Sequence, residues 1–327
     1  MNGMVEKRVL ALCGGIGGAK LALGLYRMLG SNLTVVVNTG DDFEHLGLTI
    51  SPDLDTVLYT LGGLADLQRG WGRAQETWAF MEALGVLGGE TWFQLGDRDL
   101  ALHVQRTGWL RGGETLSSFT AYAAQKFGIR ARIVPMSDQV VRTIVVTNEG
   151  ELPFQRYFVA RHCEPVVRSV RFEGASRALP APGILDLLAA TSLHTIVICP
   201  SNPYLSIDPI LAVPGLRSAL AAAPAPIVAV SPIIGGRAVK GPTAKIMTEL
   251  GITVTNHSIA EHYRGLIDGL VIDEDDASDS RRLDVPVLTA RTVMRSVADR
   301  ERLAAETVAF AETLAKPAAI NWAGARR

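Results

Sequence analysis

Two stretches of the chain hold residue types suited to phosphate and metal chemistry. Gly14-Gly15-Ile16-Gly17-Gly18-Ala19-Lys20 comes straight after a short apolar run. Glycines let a backbone approach an anion closely, and the N-terminus of a following helix presents unpaired N–H groups. The run departs from G-x-G-x-x-G because Lys20 stands at the last glycine position. It departs from the Walker pattern because Leu21, in place of Ser or Thr, follows Lys20. A tight strand-to-helix turn with no ligand is the plain alternative, but a lysine beside four glycines favours a phosphate. On that reading, valine at Gly17 would weaken nucleotide binding and leave the fold largely intact.

The second stretch is acidic. Asn38-Thr39-Gly40-Asp41-Asp42 is followed closely by Ser51-Pro52-Asp53-Leu54-Asp55-Thr56. Adjacent carboxylates can hold Mg²⁺ or hydrogen-bond a ribose. Asp53 reads equally as a helix N-cap, and Asp55 as a first-turn carboxylate favoured by the helix dipole. Divalent metal binding is nevertheless the better single account of Asp41, Asp42, Asp53 and Asp55 together. A carboxylate in such a cluster should be removable without lowering the melting temperature, since Asp55→Asn relieves like-charge repulsion.

Other candidates are weaker. Leu95-Gly96-Asp97-Arg98-Asp99 reads as a surface turn with a local ion pair, or as part of a site. His103 reads as a satisfied helix residue before a catalyst. Pro200-Ser201-Asn202-Pro203 and Ser231-Pro232-Ile233-Ile234-Gly235-Gly236 each follow an apolar run, where amides and hydroxyls could read a base or phosphate. His257 and His262 have no cysteine nearby to complete a zinc site. The acidic run Asp273–Asp279 reads as a solvated loop.

These residues need elements to place them. Val9–Cys13 and Leu33–Asn38 read as strands, with a helix over Ala19–Leu29 between them, ending at Gly30. Thr195–Ile198, Ile227–Val230 and Gly269–Ile272 read as further buried strands. Pro242 to Leu250 reads as a helix, and Val293–Leu314 as a long terminal one. This predicts an α/β fold: a Rossmann-like, doubly wound, mostly parallel sheet with helices on both faces. Arg142–Thr147 and Leu152–Val159 flank Asn148-Glu149-Gly150 as a hairpin, with Val166–Phe172 as a third strand. Residues 139–176 therefore read as a smaller antiparallel insert within one 1–327 domain. Glycine loop, acidic loop and late loops all then fall at strand carboxyl ends, the ligand edge of such a sheet.

Composition excludes several classes. The 327 residues carry 32 Lys+Arg and 33 Asp+Glu, a net charge of -1 that offers no bulk attraction for nucleic acid or an anionic membrane. With 48% hydrophobic residues the chain has material for a core, and 6% aromatics disfavours a stacking platform for single strands. Cys13, Cys163 and Cys199 are too scattered for a disulfide framework, and Cys13 and Cys199 read as buried thiols. Glu6-Lys7 leads straight into the first strand, so no secretory signal is expected, and the uncharged stretch Ala219–Gly236 is broken by prolines. A cytoplasmic, soluble protein is expected.

The motifs Gly14–Leu21, Val37–Asp42, Ser51–Thr56, Arg69–Gly72, Leu95–Leu100, Pro135–Asp138, Pro200–Pro203 and Val230–Gly236 occur in an order that resembles the 2-phospho-L-lactate transferase family of deazaflavin coenzyme biosynthesis. The resemblance runs from about Arg8 to Leu314. It implies a Mg²⁺-dependent, commonly dimeric transferase. A phospho-three-carbon-acid unit would pass from a guanosine-diphosphate-linked donor to the ribityl hydroxyl of 8-hydroxy-5-deazaflavin, releasing GMP. Gly14, Gly15, Gly17, Gly18 and Lys20 would hold the diphosphate. Asp41, Asp42 and Asp55 would hold the metal and acceptor, with Asp42 or Asp55 as the base. Asp55 and Gln94 would contact the deazaflavin; Ser201, Asn202 and Gly235 would line the guanosine side. Two other readings are a non-catalytic nucleotide-sugar-binding regulator of a related branch, which lacks this motif combination, and an NAD-dependent oxidoreductase, which Lys20 disfavours.

Overall fold

The computed structural model of the chain describes residues 7–238 and 241–314. Glu6 and the two ends of the 1–327 domain expected from the sequence lie outside the described residues.

The chain opens on strand β1 (Arg8–Cys13), helix α1 (Gly15–Leu29) and strand β2 (Leu33–Val37). A small hairpin of β3 (Phe43–His45) and β4 (Leu48–Ile50) follows, then helices α2 (Pro52–Leu61), α3 (Ala79–Val86), α4 (Asp97–Arg111) and α5 (Leu116–Lys126), and strand β5 (Arg132–Pro135). Next come β6 (Arg142–Thr147), β7 (Gly150–Pro153) and β8 (Val167–Glu173). The second half supplies β9 (Leu193–Ile198), β10 (Ile227–Val230), the short pair β11 (Ile233–Ile234) and β12 (Arg237–Ala238), β13 (Gly269–Asp273) and β14 (Val287–Ala290). The helix Val297–Thr313 closes the described chain.

Seven strands form one sheet in the order β14-β13-β10-β9-β1-β2-β5, and all six pairings are parallel. The chain starts in the middle, winds outward through β2 and β5, then returns beside β1 as β9 and winds outward the other way. The direction reverses between β1 and β9, and a crevice at the carboxyl ends of strands is expected there. Strands β2 and β10 are apolar or β-branched and buried at every residue, as burial on both faces requires. Val9, Ala11 and Cys13 pack with α1, α2, α5 and the terminal helix, while Leu10 and Leu12 face the other layer with Ile196 and Ile198. The period-2 alternation of a strand thus divides one apolar run between two cores.

The antiparallel insert has the order β7-β6-β8, on the second face of the sheet. Its hairpin is shorter than the sequence predicts. Beyond Pro153, which has no N–H to give a ladder, the chain turns into a single π-helical turn at Arg156–Ala160. Helix α1 begins at Gly15, four residues before the predicted start, so most of the glycine run is helical. The terminal helix begins at Val297, set by a capping box of Ser296 and Asp299, and not at Val293. The run Asp273–Asp279 is not a solvated loop. Most of it belongs to a 3₁₀ segment, Glu274–Arg282, and two of its acids are buried acceptors: Asp273 takes Thr292 N and Oγ1, both at 2.7 Å, and Asp276 takes Gly235 N at 3.0 Å. Among the described residues no single helix is long and apolar enough to cross a membrane.

Candidate active site

The crevice at the switch point is built by three loops that lock to one another. The glycine run lies at the end of β1. Gly15 has φ +64 with nothing near the position a Cβ would take, so it is a glycine for backbone conformation. The other three are glycines for close packing. A Cβ on Gly14 would lie 2.5 Å from Ser206 Cβ, on Gly17 2.4 Å from the Pro200 carbonyl oxygen, and on Gly18 2.5 Å from Ser201 Oγ. The glycines thus admit the β9 loop and Ser206 rather than a phosphate at these Cβ positions. The expectation that valine at Gly17 leaves the fold intact is corrected on this ground: the obstacle is backbone, which cannot swing aside.

Ser201 fastens the loop from the other strand. Its Oγ donates to the Gly14 carbonyl at 2.8 Å and lies 3.1 Å from the Gly14 N–H. Asn202 caps the turn Pro203–Ile207, accepting from Tyr204 N and Leu205 N at 3.0 and 3.2 Å. Its Nδ2 is buried with no hydrogen-bond partner. A buried N–H without an acceptor is costly, so this donor suits a ligand acceptor.

Asp53 is not an N-cap. Ser51 precedes the helix, Pro52 is its first residue, and Asp53 reaches across to α1. Its carboxylate accepts from Gly15 N at 2.7 Å and from Asn38 Nδ2 at 2.9 Å. It therefore occupies the anion-favouring N-terminus of α1 itself. Burial pushes it up to about 6, against the lowering effect of those two hydrogen bonds.

Asp41 and Asp42 sit at the end of β2. Both are buried, and Asp41 Oδ1, Asp42 Oδ1 and Thr39 Oγ1 have no hydrogen-bond partner. Burial drives Asp41 well above the usual carboxylate range, and the charge of Asp53 adds to it. Asp42 is raised by burial to about 7, held back by the Ser51 hydroxyl at 2.7 Å and by the charges of Arg142 and Arg106. One buried carboxylate oxygen of each aspartate is left without a hydrogen-bond donor, and hard oxygen donors of this kind suit a divalent cation, so this pair fits Mg²⁺.

Asp55 does not join them. The sequence reading places Asp41, Asp42 and Asp55 on one metal; the structure pairs Asp55 with Arg106, which is almost fully buried on α4. Among the described residues, the set of three acid or imidazole ligand atoms within 4.8 Å of one another is Asp55, Asp99 and His103. Its two carboxylates already have protein partners. Arg106 neutralises Asp55, and Tyr59 Oη donates to Asp99, whose other oxygen lies 3.2 Å from His103 Nε2. Burial raises Asp55, and Arg106 and His103 offset part of this. Asp99 and Asp42 are like charges nearby, but Asp55 is also half of a buried ion pair with Arg106, so the expected harmlessness of Asp55→Asn is withdrawn.

The remaining sequence candidates are spread along the same edge. Lys20 donates from Nζ to the Met294 carbonyl at 3.2 Å, in the loop after β14. Gln94 is exposed and bonds the Thr91 carbonyl at 2.9 Å. Gly235, with φ +55, sits in the β11–β12 turn after β10. Cys13 and Cys199 are buried, as read. Sequence reasoning misses the insert's part in the site. Thr143 N donates to the Gly40 carbonyl at 2.7 Å, and Gln155 Nε2 to the Asp41 carbonyl at 3.4 Å. It also misses Arg106, although Asp99, His103 and Arg106 lie at i, i+4 and i+7, a polar stripe on one helix face.

Three comparisons bear on this geometry. The family model described as 2-phospho-L-lactate transferase CofD matches residues 9–313. The chain is 42% identical over 307 residues to a phosphoenolpyruvate transferase of Kitasatospora aureofaciens, covering 91% of this chain and 94% of that one. It is 41% identical over 300 residues to a 2-phospho-L-lactate transferase of Methanosarcina mazei, covering 90% and 98%. In fold it resembles a solved UPF0052 family protein of Bacillus halodurans, with a TM-score of 0.62 over 94% of this chain and 100% of that one, at 17% identity.

Proposed function

The chain belongs to the 2-phospho-L-lactate transferase family, and from that premise we propose that it transfers a phospho-three-carbon-acid unit, lactyl, enolpyruvyl or glyceryl, from a guanosine-diphosphate-linked donor to the ribityl hydroxyl of 8-hydroxy-5-deazaflavin. The observation that supports this most directly is the pair Asp41 and Asp42. They are buried carboxylates with unpartnered oxygens, at the switch-point edge of a parallel sheet where nucleotides bind.

Asp41 and Asp42 would hold Mg²⁺, which when bound supplies charge neutralisation to a diphosphate. The chain's own residues do the rest. The acceptor hydroxyl oxygen forms a bond to the phosphorus that carries the acid. The bond from that phosphorus to the bridging oxygen breaks, and GMP leaves with the electron pair. Lys20 and the exposed side of the Gly15 turn take the diphosphate. Asn202 Nδ2, Ser201 and Gly235 take the guanosine side, with Asn202 supplying a donor that is otherwise unused. Asp55 and Gln94 take the deazaflavin. The hydroxyl proton passes to Asp42 or Asp55, the two candidate bases: Asp42 shares the metal pair, and Asp55 is held by a guanidinium.

The test is direct. Purified protein, Mg²⁺ and the deazaflavin are incubated with each of the three guanylated donors, and product masses are read. One donor should give the deazaflavin adduct and equimolar GMP. No adduct with any donor, together with no deazaflavin binding, would reject the reading.

A further inference from the structure

Arg106 is a buried guanidinium in the middle of α4, beyond the Leu95–Leu100 motif and part of no motif itself. It grips Asp55 with both arms. One terminal nitrogen bonds Asp55 Oδ1, and the other donates to Asp55 Oδ2 at 3.2 Å. The same second nitrogen donates to the Thr49 carbonyl at 3.2 Å, so the guanidinium is itself fixed to the β4 backbone. Behind it, His103 Nδ1 lies 3.4 Å from Arg106 and 3.7 Å from Asp55, and His103 Nε2 lies 3.2 Å from Asp99. Tyr59 on α2 closes the circuit through Asp99.

We propose that Arg106 is the positioning residue for Asp55, fixing its carboxylate as an anion in one orientation for the acceptor hydroxyl. This rests on the reading of Asp55 as an acceptor contact. A planar two-pronged cation fixes both position and plane of a carboxylate, which a lysine cannot do. An ionised carboxylate offers about four lone-pair sites, and Arg106 uses one on each oxygen. Acceptor capacity therefore remains on both for a substrate hydroxyl. Arg106 touches Asp55 and the Thr49 backbone, so it acts through Asp55 and is not itself catalytic.

The test compares Arg106→Lys with the wild type in three readouts: deazaflavin affinity by fluorescence titration, GDP affinity, and melting temperature. Arg106→Lys should bind deazaflavin at least about ten-fold more weakly while binding GDP as before. A purely structural role would lower the melting temperature and leave both affinities of the folded protein alone. Should Arg106→Lys not fold, Arg106→Gln, which keeps a planar donor beside an intact Asp55, takes its place, with the same selective loss expected. Wild-type deazaflavin affinity in the folded variant overturns the proposal alone. Failure of the wild type itself to bind deazaflavin overturns the functional reading and this proposal with it.

Discussion

Asp42 carries a charge-state consequence that can be read in solution. Burial raises its pKa from the ordinary 3.8 to about 7 in the folded protein. Between those values the metal-free folded chain keeps a proton that the unfolded chain has lost. The stability this contributes is full below pH 4 and is lost as pH rises through about 7. Mg²⁺ needs the deprotonated form, so its affinity runs the opposite way. Calorimetric titration should find Mg²⁺ binding about ten-fold tighter at pH 8 than at pH 6, with proton release at pH 6. The thermal shift on adding Mg²⁺ should grow accordingly. Equal affinity at both pH values would remove Asp42 from the metal site. Asp55 answers to a different test. Asp55→Asn strips the partner from a buried guanidinium, and breaking such a pair is destabilising by about 3–5 kcal/mol. A denaturant melt of Asp55→Asn should show that loss. A melt matching the wild type would mean that the Arg106 pair contributes little.

At the scale of elements, α3 and α4 are joined by exchanging caps. Asp97, at the start of α4, accepts from Ala79 N at 3.1 Å and Phe80 N at 3.0 Å at the start of α3. Glu76, just before α3, accepts from Arg98 N at 2.7 Å and Asp99 N at 2.9 Å at the start of α4. Each helix thus offers its orphan N–H groups to a carboxylate from the other's entry segment. Asp97→Ala should speed amide exchange over residues 79–86 and leave the central sheet protected. Exchange unchanged in α3 would show that its first turn is held by other contacts. This exchange explains why the Leu95–Asp99 motif reads poorly in the sequence as a surface turn: its partner is Glu76, which no spacing rule connects to it. The five inner strands of the central sheet were legible as continuous apolar runs, whereas the edge strands β5 and β14 were not read. The hairpin Phe43–Ile50 was not, since its turn uses Leu46 at φ +52 before Gly47, without the Asn-Gly or Asp-Gly signal. In the site, the motifs marked where loops meet the sheet edge. They could not show that Asp53 turns toward α1, that Asp55 turns toward Arg106, and that Asp41 and Asp42 each keep one oxygen without a partner.

The whole molecule is bound end to end through α1. The terminal helix Val297–Thr313 packs directly on it, so the last described element covers the helix after the first strand. The contact is backbone to backbone. A Cβ on Gly24 would lie 2.0 Å from the Arg300 carbonyl oxygen. Such an approach needs a glycine for space and not for conformation, as in any close helix crossing. Lys20, one turn earlier on α1, donates to the Met294 carbonyl just ahead of the terminal helix. The lysine expected to serve the diphosphate is therefore tied to the same packing as the fold's closure. Gly24→Val must push the two helices apart or shift the chain at Arg300. Overpacking of this kind destabilises by about 1–3 kcal/mol. Because α1 lies over the middle of the sheet, the loss should appear as one earlier transition, with far-UV and near-UV circular dichroism still coincident. GDP affinity should fall as well, since Lys20 moves with the helix. A Gly24→Val protein that melts normally would show that the crossing has room to spare. One that melts early but binds GDP as the wild type does would separate Lys20 from the diphosphate.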